Sequence, residues 1–423
     1  MNAGVPTEMP NSKMPLTLLL DLDDTLLDTD MSAFLPSYYG SLSRHLAPLV
    51  APDAMLDALR SGVDLMQANR DPAKTLRQVF EEHFYPKLGL SEEVLRGAID
   101  DFYSRVFPGL GEISQPAPGG RDLVDWAVGA GHQVVIATDP LLPLKATEER
   151  VRWAGIDPGS LTLISSFDSF HFSKSHVAYF AELLGRLGWP DEPILMVGND
   201  LQRDIIPAQA LGLQTFRVSA RSVAQPGNGG SAPAHSSAVE GSLFGLLERL
   251  RTTSLSPYVA SFHARAAVLS ALRAAPAALH GLTMGLPEDA WKIEPSPKEW
   301  AMIELVCHLR DTEREVHSEQ IETLIQAAAP FVSRPDAAVW AKQRRYLSED
   351  GPEAVQDFVA ARVAALNRLE SLPEAAWAKP ARHAIFGPTN FGEVIRFMAD
   401  HDRMHLQQAW SILRQVRASA HRR

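Results

Sequence analysis

The chain has 423 residues, enough for two or three domains that each bury a core. Hydrophobic residues make up 45% and charged residues 22%, an ordinary globular balance, and the formal net charge of -11 argues against a general nucleic-acid binder and against a polybasic membrane anchor. The single cysteine, Cys307, excludes an intramolecular disulfide and fits a reducing cytoplasm, the expected location.

Residues 1–14 are polar and contain proline, without the basic-then-apolar order of a signal peptide. No apolar run approaches the roughly 20 residues of a membrane span. Leu16 to Leu20 reads as a buried parallel strand that ends abruptly in Asp21, Asp23 and Asp24. Carboxylates at the C-terminal end of such a strand sit where open α/β sheets place their ligands. Asp21 and Asp23 are two residues apart and can converge on one centre, which suits an Asp nucleophile, a second Asp as acid/base and a bound Mg²⁺. Asp24 and Asp28 read as capping or exposed acids.

A long insertion follows, about Met31 to Gln115, with helical patterns such as Ala51 to Gly62 and Ala73 to Leu88 and no clear strand. It reads as a helical cap that closes over a site and excludes water. Short apolar runs at Gln133 to Ala137, Leu161 to Ser165, Ile194 to Gly198 and Thr215 to Val218 read as strands. Helical patterns at 120–131, 145–155, 175–188 and 205–212 alternate with them, which predicts a doubly wound parallel sheet. Ala220 to Glu240, rich in Gly, Ser, Pro and Ala, reads as a loop, and Leu243 to Leu250 as a closing helix. The strand ends deliver Asp21 and Asp23, then Thr138, then Lys174, then Asn199, Asp200 and Asp204. A phosphate ester repels an anionic nucleophile, so Mg²⁺ and a lysine must offset the charge, and Thr138 can hydrogen-bond a phosphoryl oxygen. Lys145 is a second cation near a strand end, and His171 and His176 flank Lys174.

In order and spacing, Asp21-Leu-Asp23-Asp-Thr25, Thr138, Lys174 and Gly198-Asn-Asp200 followed by Asp204 resemble the haloacid dehalogenase (HAD) superfamily, over about the first 250 residues. The resemblance implies that Asp21 becomes an aspartyl-phosphate, that Asp23 protonates the leaving group and then activates water, and that Lys174 steadies Asp21 and the phosphate. It implies Mg²⁺ held by Asp21, the Asp23 backbone carbonyl and Asp200 or Asp204. Dehalogenase members lack the second Asp, so the presence of Asp23 favours a phosphatase, with a mutase as the related alternative. Two positions depart from the usual pattern: Asp139 follows Thr138 where Asn is common, and Asn199 separates Gly198 from Asp200.

Beyond about residue 252 the composition shifts to Glu, Ala, Leu and Arg, strands disappear, and five of the eight tryptophans cluster, read as bundle core. Helical patterns at 261–280, 297–328, 352–372 and 390–418 predict an all-α four-helix bundle. The expected division is residues 1–252 (core 14–30 and 116–252, cap about 31–115), a linker at 253–257 and a bundle at 258–423. His401 and His405, spaced i, i+4, share one helix face, and His308 lies on an earlier helix. Together they make a three-nitrogen site with open positions for Zn²⁺, Ni²⁺ or Fe²⁺, with Asp311 or Glu304 expected to orient His308. Cys307 points about 100° away from His308 and reads as a core thiol; His317 and His383 read as surface or loop residues.

This histidine pattern resembles the DinB-like (YfiT-like) metal-dependent four-helix-bundle family, over roughly residues 258 to 418. Relatives act as metal-dependent transferases of low-molecular-weight thiols. The expected whole is a Mg²⁺-dependent phosphatase of a small phosphorylated metabolite fused to a metal-binding bundle. The alternatives are a thiol transferase in the second part, or a metal-held sensor or homodimerisation module. No nucleic-acid or membrane partner is expected.

Overall fold

Apolar side chains on both faces of the first strand leave it nowhere to lie but inside a sheet covered on both sides. In the computed structural model, which describes residues 14–219, 239–297, 299–333, 335 and 339–420, that strand is β1 (Thr17–Leu20), buried throughout. A tight turn, with Leu26 N and Leu27 N both donating to Leu22 O at 2.9 and 2.8 Å, leads into β2 (Leu27–Thr29). The insertion then forms α1 (Met31–Leu46), α2 (Pro52–Ala68), α3 (Leu76–Leu88) and α4 (Glu92–Asp101). α3 starts on a Thr75–Gln78 capping box and stops at Gly89, whose φ of 65° is open to glycine without strain. The return strand β3 (Ser114–Pro116) pairs antiparallel with β2, so the two ends of the insertion share one stem. The sequence carried no clear signal for this strand, which is three residues long.

The chain continues through α5 (Gly120–Gly129), β4 (Gln133–Ile136), α6 (Leu144–Trp153), β5 (Leu163–Ile164), α7 (Val177–Arg186), β6 (Ile194–Gly198), α8 (Ile206–Leu211), β7 (Gln214–Val218), β8 (Val239–Gly241) and α9 (Leu243–Thr252). The sheet order is β5-β4-β1-β6-β7-β8, and every pair in it is parallel. This is the expected doubly wound sheet. The chain moves outward on one side of β1 through β4 and β5, then crosses to β6 on the other side. The topological switch point, where such sheets bind ligands, therefore lies at the C-terminal end of β1. Most of the loop expected at Ala220 to Glu240 lies outside the described residues, but Val239 and Glu240 belong to β8.

The C-terminal part packs four helical segments: α10 (Arg265–Thr283), α11 (Met302–Thr312) running through a π turn at Glu313–His317 into α12 (Ser318–Gln326), then, after β9 (Phe331–Val332) and α13 (Trp340–Gln343), α14 (Gly351–Glu370), and finally α15 (Phe391–Ala420). Strands do not disappear here. β10 (Pro380–His383) and β11 (Gly387–Asn390) join β9 in a three-stranded sheet at the end of the bundle. Among the described residues, no helix is long and apolar enough to cross a membrane.

The two parts share one apolar core. Residues 178–185 of α7 are all buried because one face meets the sheet and the other meets α10. A run of alanines, Ala271, Ala274, Ala275, Ala277 and Ala278, lets α10 approach closely. A Cβ at Gly185 would lie 2.6 Å from the Ala278 Cβ, so glycine is required at that crossing.

Candidate active sites

β1 ends at the switch point and presents Asp21, whose backbone N donates to Val197 O at 2.9 Å. Asp21 Oδ1 accepts from Lys174 Nζ at 2.5 Å, and Oδ2 accepts from Thr25 Oγ1 at 2.9 Å. Lys174, 1% exposed, also meets Asp204 Oδ1 at 2.6 Å. One lysine thus bridges two buried carboxylates, leaving net negative charge in a dry site. Burial, reinforced by the Asp204 charge, raises the Asp21 carboxyl to about 7, and Lys174 only partly offsets this. Burial alone would pull the Lys174 ammonium down, but Asp204 and Asp21 outweigh it and the net shift is upward.

The two candidate acids after β6 separate clearly. Asp204 is buried, and its Oδ2 accepts from Asp200 N at 2.9 Å. Asp200 is exposed and caps the following turn, accepting from Gln202 N and Arg203 N at 2.7 and 3.1 Å. Gly198 makes room for this inward turn, since a Cβ there would lie 2.2 Å from Asp204 Oδ2. Thr138 is buried at the end of β4, and its carbonyl accepts from Ser165 Oγ and Tyr179 OH at 2.8 and 2.9 Å. Asp139 Oδ1 accepts from Lys174 N at 3.1 Å, so the residue that departs from the usual pattern fixes the lysine backbone. Asp23 faces the cap cavity, held by Arg150 from α6, which lies over the Phe34 ring at 4.9 Å. Sequence reasoning did not single out Arg150, and it marked Asp139 only as a departure from the usual motif, without a role.

Lys145 bonds Ser104 of the cap and takes no part in the Asp21 cluster. His176 bonds Gln67 O at 2.9 Å. His171 is fully buried: Nδ1 meets Glu182 Oε1 at 2.8 Å, and Nε2 meets His280 Nδ1, from α10, at 2.9 Å. A second carboxylate with a buried lysine, and charge left over after their pairing, is a donor set that fits a hard divalent cation.

In the bundle, His308 on α11 and His401 and His405 on α15 converge. The His401 Nε2 lies 3.3 Å from His308 Nε2 and 3.2 Å from His405 Nε2. Among the described residues this is the one group of three or more His, Cys, Asp or Glu side chains placed to hold a single ion. Burial, reinforced by the His401 charge, lowers the His405 imidazole to about 4, and burial lowers His401 as well, so both stand neutral. His405 Nδ1 faces Gln408 Oε1 at 3.0 Å, which assigns the proton to Nδ1 and leaves the Nε2 lone pair for a cation. Converging lone pairs from neutral imidazoles fit a transition metal.

Behind the histidines lies a charge network that the sequence did not disclose. Arg362, 1% exposed, donates to Asp402 Oδ2 at 2.5 Å, to Glu313 Oε1 and Oε2 at 2.9 and 2.8 Å, and to Leu272 O on α10 at 2.8 Å. Asp402 Oδ1 is 3.8 Å from His401 Nδ1, and Glu313 Oε2 is 2.9 Å from His317 Nδ1. Burial works against the Glu313 carboxylate, but Arg362 outweighs it and holds the group at about 2. Three expectations are corrected here. Asp311 and Glu304 do not orient His308: Asp311 binds Arg310, Arg344 and Tyr346, and Glu304 accepts from Ala301 N. His317 and His383 are buried, not on the surface. Trp300 is not simply core, since its ring lies 4.8 Å from His308 and nearly parallel to His405. Cys307 is buried and its thiol is pushed up to about 12, an inert core group as expected.

Solved structures resemble parts of the chain, three of them as follows. YfiT from Bacillus subtilis, with an unusual four-helix bundle topology, is 13% identical over 35% of this chain and 84% of its own, with a TM-score of 0.32. A HAD phosphatase from Thermococcus onnurineus is 19% identical over 56% and 98%, with a TM-score of 0.35. A 2-haloacid dehalogenase from Pseudomonas syringae is 20% identical over 56% and 98%, with a TM-score of 0.40. No curated protein matches the chain. Residues 271–409 match the DinB superfamily model, and the matched stretch contains His308, His401 and His405.

Proposed function

We propose that the α/β part is a Mg²⁺-dependent phosphatase that hydrolyses a phosphomonoester through an aspartyl-phosphate on Asp21. The observation that carries this reading is Lys174, buried at the switch point between Asp21 and Asp204. A carboxylate nucleophile beside a fixed cation is what phosphoryl transfer needs. Asp21 attacks phosphorus, the P–O bond to the alcohol breaks, and Asp23, with one oxygen released from Arg150 and protonated, gives that proton to the departing oxygen. Asp23 then takes a proton from water, which attacks the phosphorus of the aspartyl-phosphate and returns Asp21 as a carboxylate. Lys174 holds Asp21 in place, and the Thr138 hydroxyl can donate to a phosphoryl oxygen. Asp21, the Asp23 carbonyl and Asp204 would hold Mg²⁺, which when bound offsets the charge on the phosphoryl oxygens. The test is turnover of an aryl phosphate that requires Mg²⁺, stops with chelator and is lost in Asp21→Asn with the fold intact. Full activity in Asp21→Asn overturns the reading.

In the bundle, the triad of His308, His401 and His405 supports a resident transition metal. The triad opens on a cavity of about 830 Å³ lined also by Trp300, Phe386 and Phe397. That opening favours, as a second reading, a metal-dependent transferase of a low-molecular-weight thiol. Replacing His401 and His405 together with alanine should empty the site by elemental analysis, and unchanged metal content would remove it.

A further inference from the structure

The cap cavity is apolar where a sugar phosphate would need partners. One cavity of about 630 Å³ is lined both by Asp23 and Thr138 and by side chains from the cap helices, among them Phe34, Tyr38, Leu59, Val63, Phe80 and Phe84. A leaving group on a phosphate held at Asp21 has this space before it. Its volume falls in the range that encloses a small organic ligand. Several of the polar groups that line it are engaged with one another. The Tyr38 and Tyr103 hydroxyls bond each other at 2.8 Å. Each arginine of the lining faces a carboxylate: Arg77 meets Glu81 at 2.7 Å, Arg96 meets Glu92 at 2.8 Å, Arg150 meets Asp23 at 2.9 Å and Arg203 meets Asp139 at 3.7 Å. Lys145 bonds Ser104. A hydroxyl or second anion carried between Phe34, Leu59, Val63, Phe80 and Phe84 would lose its water against side chains without polar atoms, which is costly. An alkyl or aryl group would instead gain by leaving water.

We propose that the substrate is the phosphate monoester of an apolar alcohol or phenol, with its hydrocarbon part seated between α1, α2 and α3. This rests on the phosphatase reading and adds the class of leaving group to it. Arg150 over the Phe34 ring and paired with Asp23 marks the boundary between the polar mouth and the apolar chamber.

The experiment compares kcat/KM of the full chain with Mg²⁺ across methyl, butyl, hexyl and octyl phosphate, beside glucose 6-phosphate and glycerol 3-phosphate. The expected result is a rise of roughly fourfold per added methylene until the cavity fills. The two polyol phosphates should fall roughly 100-fold below hexyl phosphate. Polyol phosphates turned over as well as hexyl phosphate, or a flat alkyl series, would overturn the substrate class while leaving the phosphatase intact. No turnover of any ester removes both. Val63→Trp places bulk in the chamber and should lower the hexyl-to-methyl ratio roughly tenfold; an unchanged ratio in a folded variant counts against the proposal. Should that variant fail to fold, the alkyl series on the unaltered protein still decides.

Discussion

Arg150 holds Asp23 by a two-point ion pair, with Nη1 donating to Oδ2 at 2.9 Å and Nη2 to Oδ1. The two residues are far apart in sequence and meet at the mouth of the cap cavity. Arg150 is itself buried, so its planar fork fixes the direction of the carboxylate proposed to serve the leaving group. Arg150→Ala should therefore lower kcat by roughly 10- to 100-fold with little change in KM, and Arg150→Lys should recover only part of the loss. Steady-state kinetics on an aryl phosphate check this. A rise in KM alone would make Arg150 a substrate-binding group instead.

The split between Asp200 and Asp204 gives a second prediction. Asp204→Asn should lower turnover by roughly 100-fold or more and raise the Mg²⁺ concentration needed for half activity, because it removes a buried charge beside Lys174. Asp200→Ala should keep activity within a few-fold and cost about 1 kcal/mol of stability through the lost cap. The reverse pattern would place Asp200 at the metal.

The His171–His280 contact predicts how the junction between the two parts responds to acid. Burial, helped by the charges of His171 and Arg186, lowers His280 from 6.5 to about 4. A folded-state value below the unfolded one means that folding favours the neutral ring. The associated stability is fully present above about pH 6.5 and is lost as pH falls from there toward 4. Thermal unfolding across that window should show a steeper fall in Tm for the native chain than for His280→Gln, whose amide keeps a partner for His171 without titrating. Equal slopes would show that His280 does not titrate with folding.

Much of this was legible in the sequence because its signals were local. Leu16 to Leu20 is a run that only a buried strand explains, and the polar residues that end the strands followed from placing those ends side by side. That His401 and His405 share a face was legible because a four-residue spacing on a helix fixes one. What stayed hidden depends on contacts distant in the chain or on irregular backbone. Nothing in the charged pattern around Arg150 distinguishes it from Glu148 or Arg152, and its role arises only when α6 packs beside the β2–β3 stem. That Asp204 is buried while Asp200 is exposed goes with a π turn at Leu201–Ile205. His317 was misplaced for the same reason: the π turn at Glu313–His317 rotates the helix face, and a regular 3.6-residue period cannot anticipate it. The strands β9, β10 and β11 are two to four residues long, too short for alternation to show. The alanine run of α10 announced a helix but not that its partner would be α7.

The central claim is that Asp21 carries the phosphoryl group. A single turnover of an aryl phosphate with Mg²⁺, quenched in acid at early times and mapped by peptide mass spectrometry, tests it directly. The account predicts transient phosphoryl mass on the peptide containing Asp21, appearing before inorganic phosphate and absent in Asp21→Asn. Phosphate released at the full rate with no labelled Asp21 peptide at any time would contradict it.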